Sequence, residues 1–464
     1  MSVLQNFING EFVSSTATET LDIVNPIDES VVAVSPISSA ADVDTAMRAA
    51  ADAFPGWKRT TPSERQKALL RFADALEANS DELVDAQHRN TGQPKQQIAD
   101  EEVTVGADQI RFFAGAARTL EGKSAGEYMA GFTSYVRREP VGVIGQVTPW
   151  NYPLMMALWK IGPAIAAGNT VVLKPSDTTP ESTLALARIS ADILPPGVFN
   201  VVLGNADTGA AVIGHPTPAM VSITGSVRAG IAVAESAAQN LKDAHLELGG
   251  KAPAVVFADA DLAKTIEPLA AAAFFNAGQD CTAVTRVLVH ESIHDEVVGL
   301  LVEQARTAEV PPLNNVNHFG KVTSILDNIP SHATVATGGG RKGDKGFFVE
   351  PTIITGVRQE DKLVQEETFG PVITVQPFAD EAEAIRLAND VAYGLASSVW
   401  TTDHATATRL SAELDFGCVW INCHIPLVAE MPHGGFKNSG HGKDLSLYGL
   451  EDYTRIKHVM SSTD

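Results

Sequence analysis

From Tyr135 onward the sequence repeats one texture: a short run rich in β-branched residues, closed by Gly or Pro and followed by a helical segment. The runs 141-VGVIGQVTPWN-151, 170-TVVLKPS-176, 198-VFNVVLG-204 and 219-AMVSITGS-226 form one series. A second begins near Lys251 with 253-PAVVF-257, 286-RVLVH-290, 334-TVATGG-339, 372-VITVQPF-378 and 397-SSVW-400. Strand, loop and helix in alternation leave few architectures open, because parallel strands need crossovers that lay helices on both faces of a sheet. Two α/β units are expected, with ligands at the carboxyl ends of their strands. Ahead of them, 43-VDTAMRAAADAF-54 and 66-QKALLRFADALEANSDELVDAQ-87 carry apolar residues at three- and four-residue spacing, and Thr61-Pro62-Ser63-Glu64 supplies a helix start.

Length agrees with more than one core, since 464 residues exceed what a single core usually organises. The balance of 34 basic against 56 acidic residues gives a net charge of −22, which repels nucleic acid and anionic membranes. Cys281, Cys418 and Cys423 are odd in number and without framework spacing, so a reducing compartment is expected rather than a disulfide scaffold. The opening MSVLQNFINGEF lacks the basic start and apolar core of a secretory signal, and no apolar run reaches membrane-spanning length. A cytoplasmic protein is the expectation.

His290-Glu291-Ser292-Ile293-His294 spells the H-E-x-x-H of zinc proteases. That chemistry needs both histidines on one face of a continuous helix. Here 286-RVLVH-290 reads as a strand and the helix begins after it, so the motif straddles a turn and no metal is assigned.

The chemistry gathers instead around 274-FFNAGQDCTAVTR-286. Cys281 follows small residues at the end of an apolar run, as expected of a tight turn leading into a helix whose free N–H groups could face an oxyanion. Taken alone, a free cysteine is more often a buried structural residue than a nucleophile. Its companions change the balance. Asn151 follows a strand in 146-QVTPWNYP-153, Glu247 is a lone acid at the end of an apolar strand before Gly249-Gly250, and Glu367 and Phe369 precede a Gly-Pro turn in 365-QEETFGP-371.

These stretches, with 172-VLKPSDTTP-180, 223-ITGS-226 and 434-GGFKNSG-440, stand in the order found in the aldehyde dehydrogenase superfamily, which the chain resembles from about Phe12 to Tyr453. The resemblance implies an α/β fold of two Rossmann-type domains plus a small β oligomerisation arm. It divides the chain into an NAD-binding domain (1–125 and 146–246), a catalytic domain (247–440) and an arm (126–145 and 441–464). It also implies NAD as cofactor and roles for each residue. Cys281 would be the nucleophile that forms a thiohemiacetal and then a thioester, Asn151 an oxyanion donor, and Glu247 the base that activates the hydrolytic water. Lys174 and Glu367 would grip the cofactor riboses, with Ser176 and Asp177 beside Lys174. Phe369 would pack on the nicotinamide ribose, Gly225-Ser226 would open a helix near the pyrophosphate, and Trp150 would wall the site. Glu247 favours release of a free acid over transfer to coenzyme A.

Within the superfamily the tail 419-VWINCHIPLVAEMPHGGFKNSGHGKDLSLYGLEDYT-454 is most similar to 4-aminobutyraldehyde dehydrogenases of polyamine breakdown. Asp280 and Asp108 are the candidate partners for a substrate ammonium, against a capping role for Asp280 and a solvated helix face for Asp108. Trp159, with Trp150, Phe112 and Trp420, could supply the aromatic cage that betaine aldehyde would need. A retired, non-catalytic relative would be expected to have lost Cys281, Glu247 or Asn151. The segment 306-RTAEVPPLNNVNHFGKV-322 is shorter than in relatives and is expected to lie away from the chemistry. The arms imply a homotetramer, a dimer of dimers.

Overall fold

The β-branched runs become strands of two large sheets in the computed structural model, which describes residues 2–463. The first sheet has eight strands in the order Gly440–His441, Asp243–Glu247, Met220–Thr224, Val143–Val147, Thr170–Lys174, Phe199–Val201, Asn6–Ile8 and Glu11–Val13. The five from Asp243–Glu247 to Phe199–Val201 run parallel. Val143–Val147 and Thr170–Lys174 lie in its middle, almost wholly buried, which is why they read as continuous apolar runs rather than alternating ones. Val147 pairs with both Ile223 and Lys174, so the loops that follow these strands emerge along one edge. That edge carries the motifs.

The second sheet runs Thr334–Thr337, Thr352–Thr355, Val372–Phe378, Val284–His290, Ala252–Val256, Ala396–Trp400 and Cys418–Ile421. Six of these are parallel. The expectation that 334–339 joins the parallel series is corrected: Thr334–Thr337 pairs antiparallel with Thr352–Thr355. Between them the chain reverses through Gly338 and Gly339, both at positive φ, without the helix a parallel crossover requires.

The helical N-terminal region follows its caps. Thr61 accepts from the Glu64 N–H while Glu64 accepts from the Thr61 N–H, which starts the helix Pro62–Ala78 as Thr61-Pro62-Ser63-Glu64 predicts. The 66–87 pattern is two helices rather than one. Asn79 leaves helical geometry and its side chain donates to the Ala75 carbonyl, ending the first helix before Ser80–Thr91 begins. A third, three-stranded sheet joins Gly126–Met129, Phe132–Pro140 and Thr454–Ser462 antiparallel. Among the described residues no helix is long and apolar enough to cross a membrane.

Candidate active site

A cavity of about 390 Å³ opens between the edges of the two large sheets, lined on one side by the loops after Val143–Val147, Met220–Thr224 and Asp243–Glu247. Cys281 lies on its wall, together with Trp150, Gly225, Ser226, Glu367 and Phe369 and with Tyr152, Met156, Trp159, Phe275, Asp280 and His433.

Cys281 does not begin a helix, contrary to the sequence expectation. Asp280 Oδ1 accepts from both the N–H and the hydroxyl of Thr282, each at 2.7 Å, and this turn sends the chain directly into the strand Val284–His290. Asp280 therefore caps a turn, not a helix; its other oxygen accepts from the Tyr152 hydroxyl at 2.9 Å. Ahead of Cys281, Asn276 and Ala277 take left-handed φ values of 48° and 56°. The strain is held by the Asn276 amide, which donates to the Asn151 carbonyl at 3.0 Å. Burial pushes the Cys281 thiol well above its ordinary range, and the carboxylates of Asp280, Glu247 and Glu367 add to that shift. The thiol stays protonated until something in the cavity opposes that field.

Asn151 lines the cavity, and its side-chain amide donates to the Gln279 carbonyl at 3.1 Å, which leaves a second N–H for a ligand. Glu247 sits just behind the wall formed by Leu248 and Gly249, only 4% exposed. Its Oε1 has no hydrogen-bond partner. Burial first, and then the neighbouring carboxylate of Asp444, raise its pKa well above the usual range. Lys160 donates to both oxygens of Asp444, at 3.1 and 2.8 Å, and His245 Nε2 lies 3.2 Å from the same carboxylate. His245, Glu247 and Asp444 thus bring three ligand-type atoms together, but the Lys160 ammonium already supplies the positive charge that a metal ion would bring.

The cofactor-side residues also assemble. Ser226 caps the helix Val227–Ala238 at the cavity wall, so that helix presents its N-terminus there. Phe369 adopts a left-handed φ of 59° and packs edge-on to Trp150 with ring centroids 5.4 Å apart. Glu367 Oε1 accepts from the Gly250 N–H at 2.8 Å, and a Cβ at Gly249 would displace the same carboxylate from this position. Lys174, Ser176 and Asp177 sit at the end of the neighbouring strand, outside the cavity wall proper. The Ser176 hydroxyl donates to Asp177 Oδ1 at 3.2 Å. Lys174 is only 6% exposed and its ammonium makes no hydrogen bond among the described residues; burial lowers its pKa and Asp177 opposes that. An unbonded ammonium beside the Asp177 carboxylate suits a ligand that carries both phosphates and ribose hydroxyls.

Two candidate residues fare differently. Trp159 reaches the cavity, its indole N–H donating to Gln109 Oε1 at 2.8 Å and its ring packing edge-on to His433. Asp108 does not: it is exposed, and its helix turns Val105 and Gln109 to the cavity instead. Val105 and Gln109 stand about one turn apart on the wall, while Asp108 lies about 100° round the helix from Gln109. Phe112 and Trp420 are absent from the cavity wall as well. H-E-x-x-H is split as expected, with His290 ending a strand and His294 opening a helix.

The segment 306–322 is not remote from the chemistry. The Asn314 N–H donates to Gln279 Oε1 at 2.9 Å and the Pro312 carbonyl accepts from Gln279 Nε2 at 3.2 Å, so this stretch braces the turn that carries Cys281. From the helix Val316–Asp327, His318 bonds the Phe369 carbonyl at 2.6 Å and Lys321 donates to the Glu367 carbonyl at 3.0 Å. Both line the cavity. No local pattern marks them, because their partners lie 46 to 51 residues away.

With this geometry in hand, comparison with known proteins is decisive. Residues 12–459 match the family model described as "Aldehyde dehydrogenase family". The chain belongs to the aldehyde dehydrogenase family. It is 42% identical to an aldehyde dehydrogenase of Emericella nidulans, over 98% of this chain and 94% of that one. It is 38% identical to the betaine aldehyde dehydrogenase of Bacillus subtilis, over 98% and 97%. Among solved structures, the betaine aldehyde dehydrogenase of Staphylococcus aureus in complex with NAD+ superposes with a TM-score of 0.97 at 35% identity, covering 99% of this chain and 95% of that one. The fold is the aldehyde dehydrogenase fold.

Proposed function

We propose that this NAD-dependent aldehyde dehydrogenase oxidises an ω-aminoaldehyde, 4-aminobutyraldehyde or a near homologue, to the free carboxylic acid. The observation that carries the substrate is the pair of carboxylates on the cavity wall, Asp280 beside the nucleophile and Glu101 further along, among Tyr152, Trp159 and Phe275. A carboxylate accepts at about four lone-pair sites, so Asp280 retains capacity for an ammonium beyond its bonds to Thr282 and Tyr152.

The chemistry then runs on residues already described. The Cys281 thiol releases its proton to solvent and its Sγ attacks the aldehyde carbon, while the free Asn151 N–H and the Cys281 N–H hold the oxygen, which takes up the carbonyl π electrons and becomes negative. Each such donor is worth roughly 3–4 kcal/mol. Bound NAD supplies the hydride acceptor. The thioester left on Cys281 is cleaved by water from which Glu247 takes a proton, and the raised pKa of Glu247 makes it a strong base once ionised. When NAD is bound, Lys174 and Glu367 would hold the two riboses, Ser176 and Asp177 would lie by the adenine-side ribose, Gly225 and Ser226 by the pyrophosphate, and Phe369 with Trp150 on the nicotinamide side.

Rates on 4-aminobutyraldehyde, 3-aminopropionaldehyde, betaine aldehyde and uncharged butyraldehyde test the substrate. The expected order puts the aminoaldehydes first, and Asp280→Asn lowers their kcat/KM much more than that of butyraldehyde. Equal losses would leave Asp280 with the turn alone. Betaine aldehyde is the second reading, favoured by Trp159 and Tyr152 in the cavity and by the relatives that act on it.

The arm supports self-association. Among the described residues both outer strands of its sheet lack a neighbour on one side, and Ile456 and Tyr128 are 66% and 57% exposed. A homotetramer is the proposed state, and a monomer in light scattering at micromolar concentration overturns it.

A further inference from the structure

The helix Pro153–Ala167 starts without a side-chain cap of its own, since Tyr152 makes none. Its first free N–H groups are taken by residues from far away in sequence. Leu154 donates to Gln87 Oε1 at 3.2 Å and Met155 to Glu102 Oε2 at 3.1 Å. Gln87 Nε2 in turn donates to Glu102 Oε1 and, at 2.8 Å, to Gln93 Oε1. Gln93 Nε2 donates to the main-chain carbonyl of Asn151 at 3.0 Å. Gln87, Gln93 and Glu102 are each at most 2% exposed. The direction of every bond is forced: backbone N–H groups can only donate, so Gln87 must turn its oxygen to Leu154 and its amide hydrogens to Glu102 and Gln93. Gln93 must then aim its own amide at Asn151.

We propose that Gln93, oriented by Gln87 and Glu102, is a positioning residue that sets where the Asn151 side-chain amide meets the substrate oxygen. The Asn151 carbonyl is held from two sides, by Gln93 and by Asn276 of the nucleophile's turn, while its side chain is tied to Gln279. With those three points fixed, the remaining amide hydrogen has one direction open. Such rigidity matters for an oxyanion donor, because a displacement near 1 Å at a reacting centre costs on the order of a hundredfold in rate.

The proposal rests on the reading of Asn151 as an oxyanion donor, and the test separates the two. NADH formation in a single turnover with 4-aminobutyraldehyde and with butyraldehyde is compared across Gln93→Met, Glu102→Gln, Asn151→Ala and the double variants. In Glu102→Gln an amide would oppose the Gln87 amide. Gln93→Met and Glu102→Gln are expected to slow hydride transfer by about ten- to a hundredfold, with NAD affinity and the rate of Cys281 alkylation by iodoacetamide unchanged. In the Asn151→Ala background neither substitution should cost anything further, since residues acting through one group are not additive. The same fold-loss in both backgrounds, or full-rate hydride transfer in Gln93→Met, overturns the positioning role. Asn151→Ala at full rate overturns the reading of Asn151 itself. Gln93→Asn, which keeps the amide but withdraws it by one methylene, carries the test where Gln93→Met does not fold.

Discussion

The two reacting sides of the cavity are built on opposite principles. Cys281 also feels the carboxylates of Asp280, Glu247 and Glu367, but the hydrogen bonds that fix Asn151 and the turn before Cys281 come from neutral amide groups of Gln93, Asn151, Asn276, Gln279 and Asn314, at 2.9 to 3.1 Å. Around Glu247 the neighbours are charges, Lys160, Asp444 and Lys443, and one carboxylate oxygen is left without a partner. A group that must receive a carbon atom at a fixed angle is held by geometry. A group that must gain and lose a proton is held by a field, in which position is less constrained and charge is more strongly felt.

Removing the proposed nucleophile gives the largest expected effect. Cys281→Ser should lower turnover by more than about a thousandfold with NAD binding intact; turnover near the unmutated rate breaks the contrast at its pinned side. Glu247→Gln tests the charged side. It should spare the first turnover and slow the steady state by about 10²- to 10⁴-fold, seen as a burst of NADH close to one per site, and a mutant with no burst would place Glu247 before hydride transfer.

Lys160→Met separates charge from geometry. It leaves Asp444 buried without its partner, and breaking a buried pair this way costs about 3–5 kcal/mol of stability. Denaturation with urea should show that loss, and a change under about 1 kcal/mol would mean that the pair is solvated in solution. The smallest effect is in acid. Burial lowers the pKa of both His318 and His424 from 6.5 to about 4. The unfolded chain therefore takes up protons near pH 6.5 that the folded protein refuses until about pH 4. The stability that these two neutral histidines contribute is full above pH 6.5 and falls as the pH drops through this window. His318→Gln should flatten the fall in Tm between those limits, whereas an unchanged slope would mean that His318 is hydrated and free to titrate.

Much of the fold could be read from the sequence because strand period and Gly/Pro punctuation are local. Val143–Val147, Thr170–Lys174 and Met220–Thr224 fall inside the runs that suggested them. Thr334–Thr337 was misjudged because strand direction depends on what lies between two strands, and here a glycine turn replaces a helix. The residues of the site were legible for a different reason: Cys281, Asn151, Glu247 and Glu367 all follow or precede strand ends marked by Gly or Pro. Their supports were not. Gln93, Glu102, His318 and Lys321 act across dozens of residues, and nothing adjacent to them distinguishes a buried amide from an ordinary polar position. Asp108 misled for want of helical phase, since its neighbour Gln109 takes the place it was expected to hold.

The buried pair Lys160–Asp444 joins residues 284 positions apart, and Tyr453, wholly buried, accepts at its carbonyl from Asn169. The first large sheet, though built almost entirely from the chain before Gly250, takes its edge strand Gly440–His441 from near the end. During synthesis, therefore, the N-terminal half leaves the ribosome with Lys160 uncompensated and one sheet edge open. It must wait through the making of the whole second unit before either is closed, a long interval in which that edge stands open to pairing with other chains.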